Sequence, residues 1–344
     1  MSLPDRIENE AALEDALARP SDRDLEFADR LDGDVLIVGA GGKMGPSLAR
    51  RVRRALQRTG NRHRVIAASR FSSDSARAGL DADGIETLAC DLLDPARIAA
   101  LPQCPNVLFL AGRKFGTLDR TDLTWVTNTV VPARLAEHFS SSRLVVFSTG
   151  NVYPLVSVAS AGSREEDVPL PVGEYAQSCL GRERVVEFVS NERGTPTLIY
   201  RLNYAVDLRY GTLVDIARKV FSGEAVDLTV GFFNAIWQGD ANSYAFRSLG
   251  VCSSPPTILN VTGPDRIAVR DAAEWFGRSF GRVPRLTNAE GPVALLSDSS
   301  RCRSLLGEPE VPLEKLRHWV AEWVRAGGAS LNKPTHFEVT DGRF

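Results

Sequence analysis

Five short apolar runs, DVLIV, RVIAAS, NVLFLA, RLVVFS and TLIYR, recur between Asp34 and Arg201, each followed by ten or more residues with apolar positions at helical spacing. Runs so short and so continuously apolar suit strands buried on both faces, and a helix between successive strands makes them lie parallel. The alternation predicts an α/β fold: a Rossmann-like, doubly wound parallel sheet covered by helices, with a smaller C-terminal substrate lobe. Residues 1–33 read as a helical N-terminal extension, with Ile7, Leu13, Leu17, Leu25, Phe27 and Leu31 at helical spacing and a stop and N-cap at RPSD. Residues 34–203 would carry the sheet. Residues 204–330, richer in turns, would form most of the lobe and return some segments to the sheet, including TILNVTG. Residues 331–344 read as a tail, either an arm on a neighbouring surface or a frayed end.

The 344 residues are 43% apolar and 24% charged, enough for a large core. A net charge of -2 gives no electrostatic reason to expect nucleic acid or an anionic membrane surface as partner. No window approaches the roughly 20 apolar residues of a membrane span, and the acidic N-terminal segment lacks the apolar centre of a secretory signal, so a cytoplasmic location is expected. The five cysteines and four histidines are scattered, a pattern of neither zinc site nor disulfide framework. No metal is expected, and cysteines other than Cys179 read as buried thiols.

Glycines cluster where the first strand meets the first helix of the sheet domain, in DVLIVGAGGKMGPSLARRV. Met44 interrupts the spacing G-x-G-x-x-G, whereas Gly39, Gly42 and Gly45 satisfy G-x-x-G-x-x-G. Such glycines let the backbone turn tightly and let phosphates approach the amides at a positive helix end, so this loop predicts a bound dinucleotide. Pro46 suits the first helical turn. The second strand ends in Ser69 and Arg70, with a guanidinium where an acidic residue would hold the ribose of NAD; this favours NADP over NAD. Lys43 is expected to add a second cation near the same 2'-phosphate.

Asp91 in CDLLD, Gly112 in FLAGRKFG, Asn128 in WVTNTVVPARL, Thr149 in FSTGNVYP and Tyr175 in EYAQSCLGRERVVEF follow in order. With them, residues 34 to 325 resemble the extended short-chain dehydrogenase/reductases, the NAD(P)-dependent sugar epimerase/dehydratase group. The resemblance implies Gly39, Gly42 and Gly45, with Lys43 and Met44, at the pyrophosphate, and Asp91 and Leu92 at the adenine. It implies Leu110, Ala111 and Gly112 lining the cofactor and Asn128 supporting the site. Thr149 and Tyr175 become the catalytic pair, with Arg113, Asn151 and Asn203 at a carbohydrate-like substrate. It also implies a homodimer through the helices that follow strands four and five. The loop GAGGKMG is similar to that of dihydrodipicolinate reductase as well, but there the likeness stops.

One position departs from the family. Cys179 stands where a lysine would hold the nicotinamide ribose and lower the tyrosine pKa. Unperturbed tyrosine, with a pKa of about 10, is ionised in on the order of one molecule in a thousand at neutral pH, and losing two to three units of depression costs roughly 3 to 4 kcal/mol in a base-dependent step. Three outcomes follow from the exchange. Another cation substitutes, from Lys114 or Arg113 on the loop after the fourth strand or from Arg182, with Lys114 preferred and Arg182 reading as a surface charge; Cys179 acts as a nucleophile; or redox turnover is lost and a dinucleotide-binding sensor remains. An epimerase, dehydratase or reductase acting through a keto intermediate is placed ahead of the sensor, because Thr149 and Tyr175 are both kept.

Overall fold

A computed structural model describes residues 3–71, 73–114, 119–333, 335, 337–339 and 342. Seven parallel strands form its central sheet: β1 (Val35–Val38), β2 (Val65–Ser69), β3 (Glu86–Ala89), β4 (Asn106–Phe109), β5 (Arg143–Thr149), β6 (Thr197–Leu202) and β7 (Thr257–Val261). Their order is β3-β2-β1-β4-β5-β6-β7. The order reverses between β1 and β4, and the crevice outside the carboxyl ends of strands at such a reversal is where doubly wound sheets bind ligands.

Period-two alternation on β1 shows how both faces become dry. Val35 and Ile37 pack with Leu48, Val52 and Leu56 of the helix α3 (Gly45–Thr59), while Leu36 and Val38 pack with Leu135 and Phe139, at and just after the helix α4 (Val131–His138), and with Val186 of α5 (Gly173–Arg193). Ahead of the sheet lie two short helices, named here αA (Glu10–Leu17) and αB (Asp22–Arg30); Ser21 and Asp24 close a reciprocal capping box at the start of αB. Leu13 and Leu17 of αA enter the core of the C-terminal lobe, whereas Ala28 of αB joins the core under the sheet. That lobe is built on α6 (Thr212–Ser222), α8 (Val269–Phe280) and α9 (Leu313–Arg325), with Phe276, Trp319 and Trp323 buried between them.

Asp24 anchors αB from inside. Its carboxylate lies 2.6 Å from Arg51 of α3 and accepts from Ser243 on α7 (Gln238–Arg247), with Arg247 3.3 Å away. Burial alone would raise this carboxyl, but the two arginines and the hydrogen bonds hold its pKa below the ordinary value. The described residues of the tail pack on the chain's own lobe. Thr335 donates to Asp215 from its amide and hydroxyl (2.9 and 2.6 Å), Lys219 pairs with Glu338 at 3.3 Å, and Phe337 is buried beside Phe233. No helix among the described residues is long and apolar enough to cross a membrane.

Candidate active site

Steric necessity, rather than flexibility, explains the glycines after β1. Gly39 has φ +88°, and a Cβ there would fall 2.6 Å from the Ala111 amide nitrogen at the end of β4. A Cβ on Gly45 would lie 2.4 Å from the Ala40 carbonyl, so only glycine lets α3 begin so close to the loop. Pro46 occupies the first turn of α3, and no side chain caps that end. Its unpaired amides face the crevice at the sheet reversal, the arrangement that receives phosphate.

A cavity of about 310 Å³ opens there. Gly39, Gly42, Lys43, Met44 and Gly45 of the glycine loop line it, together with Leu110 and Lys114 after β4, Thr149 and Asn151 at the end of β5, Tyr175 of α5 and Asn203 after β6. Tyr175 is hydrogen bonded to Thr149 and to Cys179. Thr149 also accepts the Asn151 amide at 3.2 Å, which holds its hydroxyl at the strand end. The Lys114 ammonium lies 5.9 Å from the centre of the Tyr175 ring, and burial pushes its pKa down to about 8. Burial raises the Tyr175 phenol well above its ordinary value, the nearby Cys179 adds to this, and Arg182 and the Thr149 bond oppose it. The resting group is therefore a neutral phenol. Cys179 is buried, and desolvation raises its thiol above the ordinary value.

Several residues stand elsewhere than expected. Lys43 does not turn toward Ser69 and Arg70. Its ammonium donates to the Ala205 carbonyl at 3.2 Å and rests 3.9 Å from the centre of the Tyr210 ring, bridging the cleft to the lobe. Crowding by the cleft walls lowers its pKa and Lys114 adds to this, an effect tempered because the residue stays open to solvent. Arg113 does not line the cavity; its backbone is clamped there, its N–H donating to Asn128 Oδ1 (2.9 Å) and its carbonyl accepting from Asn128 Nδ2 (3.0 Å). Asn128 itself is fully buried in a π-helical turn (Val126–Val130) and donates to Ser178 of α5. Ala111 and Gly112 do not line the cavity; Ala111 lies against Gly39, and Gly112, exposed, lies against Arg182. Ser69, Arg70, Asp91 and Leu92 gather at the ends of β2 and β3, outside the enclosed space; Arg70 and Asp91 are exposed.

Arg182 is the largest departure: 4% exposed, it is no surface charge. It donates to the carbonyls of Phe147 (2.6 Å) and Asn128 (3.3 Å) and to Asn128 Oδ1 (2.7 Å). The lining also includes residues to which no sequence motif gives a role, among them Tyr204, in the left-handed region at φ 47°, Tyr210, Leu331, Lys333 and Thr335. Beneath the site runs a buried chain in which Ser148 donates to Glu183 at 2.5 Å, Glu183 pairs with Arg201 at 2.7 Å, and Arg201 donates to Tyr153, whose hydroxyl donates to Asn260. No motif marks these positions, and only the alternation of Ser148 and Arg201 with apolar neighbours on their strands hints at them.

No protein-family model and no curated protein matches this sequence. Solved structures do match. UDP-glucose 4-epimerase from Thermotoga maritima, solved with UDP-glucose, superposes with a TM-score of 0.69 at 17% identity, covering 86% of this chain and 99% of that one. UDP-glucuronic acid 4-epimerase from Bacillus cereus, solved with NAD, gives 0.68 at 16% identity, with 85% and 98% covered. Pal from Bacillus thuringiensis gives 0.68 at 18% identity, with 85% and 99% covered. The ordered motifs, the seven-stranded sheet and these superpositions together assign the chain the fold of the extended short-chain dehydrogenase/reductases.

Proposed function

We propose that the protein is a nicotinamide-dinucleotide-dependent epimerase, dehydratase or reductase acting on a sugar or sugar-nucleotide-like substrate. The observation that carries this is the meeting of the glycine loop, Thr149 and Tyr175 on one cavity. The residues fit a dinucleotide: the loop leaves no room for a side chain at Gly39 or Gly45 and offers uncapped amides at the start of α3. Gly39, Gly42 and Gly45 would hold its diphosphate, and Leu110 with Ala111 would line its path. When bound, the cofactor supplies hydride acceptance or donation.

The chain's own residues handle protons and orientation. Thr149 bonds the reacting oxygen, and Tyr175 gives or takes its proton. Because the phenol rests protonated, it serves as an acid without preparation, which favours the direction that reduces a carbonyl. Asn151 and Asn203 face the substrate space. Lys43, Lys114 and Lys333 line the same cavity and, among the described residues, no carboxylate does. Such a lining suits a substrate that carries phosphate or carboxylate. Ser69 and Arg70, standing at the end of the second strand in place of an acid, favour NADP; the Bacillus cereus neighbour was solved with NAD, so the two must be compared directly. Trp125, Val126, Val130 and Phe188 stand exposed around the π-helical turn and α5, and we assign that face to a second copy of the chain.

Titrating the protein with NADH and NADPH by nucleotide fluorescence, then assaying sugar nucleotides for epimerisation or for absorbance change of the cofactor, tests the proposal. No affinity for either nucleotide overturns it. The protonated phenol beside Cys179 favours a second reading, a dinucleotide sensor. Tight binding without turnover on any sugar nucleotide would support that instead.

A further inference from the structure

Tyr175, Cys179 and Arg182 are spaced i, i+4 and i+7, one stripe of α5. The phenol bonds Cys179 at the position where a cation would ordinarily stand, and the next residue of the stripe is a buried guanidinium. All the hydrogen bonds of Arg182 go to uncharged oxygens: the Phe147 carbonyl, the Asn128 carbonyl and Asn128 Oδ1. Among the described residues, no carboxylate lies within 4 Å of it; its sequence neighbour Glu183 is taken by Arg201 and Ser148. A buried charge is costly unless something compensates it, and carbonyl dipoles solvate a cation without cancelling its field. The group lies directly under Gly112, where a Cβ would fall 2.6 Å from Nη2, and it is bonded two residues before Thr149. It thus sits behind Phe147, which lines the cavity, and is tied to β5 and to the π-helical turn.

We infer that Arg182 is a positioning residue that replaces, from beneath, the positive charge missing at Cys179, and that its fixed field stabilises the negative charge left on Tyr175 when the proton moves. This rests on the reading that Tyr175 exchanges a proton with substrate. A fixed charge aimed at the place where charge develops acts without reorganisation, which suits a phenol that is neutral at rest. The groups facing that phenol are Cys179 on its own helix, Thr149 on β5, Lys114 from the loop after β4, Lys43 across the cavity and Arg182 below; Glu183 lies deeper, neutralised by Arg201. Lys114 is the rival for the role. It is half-buried, its pKa of about 8 lets it lose its charge at mildly alkaline pH, whereas a guanidinium keeps it.

The test uses the full chain labelled with fluorotyrosine, whose acidity brings a raised phenol into measurable range, with the Tyr175 resonance assigned by Tyr175→Phe. Arg182→Met is expected to weaken Tyr175 ionisation about tenfold or more, and Arg182→Lys to restore most of it. Cys179→Lys placed in the Arg182→Met background should restore it too, because the charge returns on the same stripe, one turn nearer the phenol. Arg182→Gln, which keeps a donor but no charge, serves if Arg182→Met does not fold. In turnover, loss of the charge should lower kcat about a hundredfold while dinucleotide affinity stays within about twofold. An unchanged Tyr175 titration in the charge-deleted variants overturns the inference, as does a shift produced by Lys114→Met and not by them. If the parent binds no nucleotide, the functional reading fails, and the titration still reports on Arg182 independently.

Discussion

At the scale of single residues, the site separates groups that touch substrate from groups that set their charge. Tyr175→Phe should abolish turnover and leave dinucleotide affinity within about twofold, because only the proton is lost; Thr149→Val should lower kcat by about 100-fold. Burial raises the phenol pKa, so the step that needs phenolate should speed up about tenfold for each unit of rising pH, with no plateau near neutrality. The reductive direction, which uses the phenol, should be flat over the same range. Initial rates in both directions across a pH series check the asymmetry. Lys43→Met and Lys333→Met should raise KM for an anionic sugar substrate about tenfold each and spare kcat, since neither is placed at the proton. Arg70→Glu should turn nucleotide preference toward NAD by at least about tenfold, read by paired fluorescence titrations.

At the scale of elements, the strands and the glycine turn were readable because they are local: apolar runs, loop spacing and an N-cap each lie within a few residues. The direction of Lys43 was not, because its partners Ala205 and Tyr210 are more than 160 residues away and belong to the lobe. Arg182 was misread for a related reason. Helical spacing places it on the Tyr175 stripe, but what lies against that stripe is the end of β5 and the π-helical turn, which the helix's own sequence does not reveal. Extra turns of this kind frequently mark functional places, and here the turn aims Asn128 at the Arg113 backbone. The N-terminal helices carry their own prediction. Asp24 has its folded pKa depressed, so its contribution to stability is present above its unfolded value of about 4 and is lost as pH falls through the folded value. Asp24→Asn should cost about 3 kcal/mol or more in denaturant unfolding near neutrality, with the difference from the parent shrinking in acid.

On the scale of the whole molecule, exposed Trp125 and Phe188 predict a dimer of 37.5 kDa chains through the helices after β4 and β5. Phe188→Glu should convert it to monomer in light scattering coupled to gel filtration, whereas a parent that is monomeric at every concentration rejects the assignment. The loops after β1 and β4, the end of β5 and α5 supply one side of the cavity, and the segments around Tyr210 and Leu331 the other. Leu331 and Lys333 face the cavity, while Thr335 and Phe337 are fastened to the lobe by Asp215 and its apolar core. Cavity occupant and closing strap therefore share one wall, and by linkage whatever grips the first must slow the peeling of the second. Cleavage by an added protease near Lys333 becomes a clock for residence time, slowing in proportion to the fraction of sites filled.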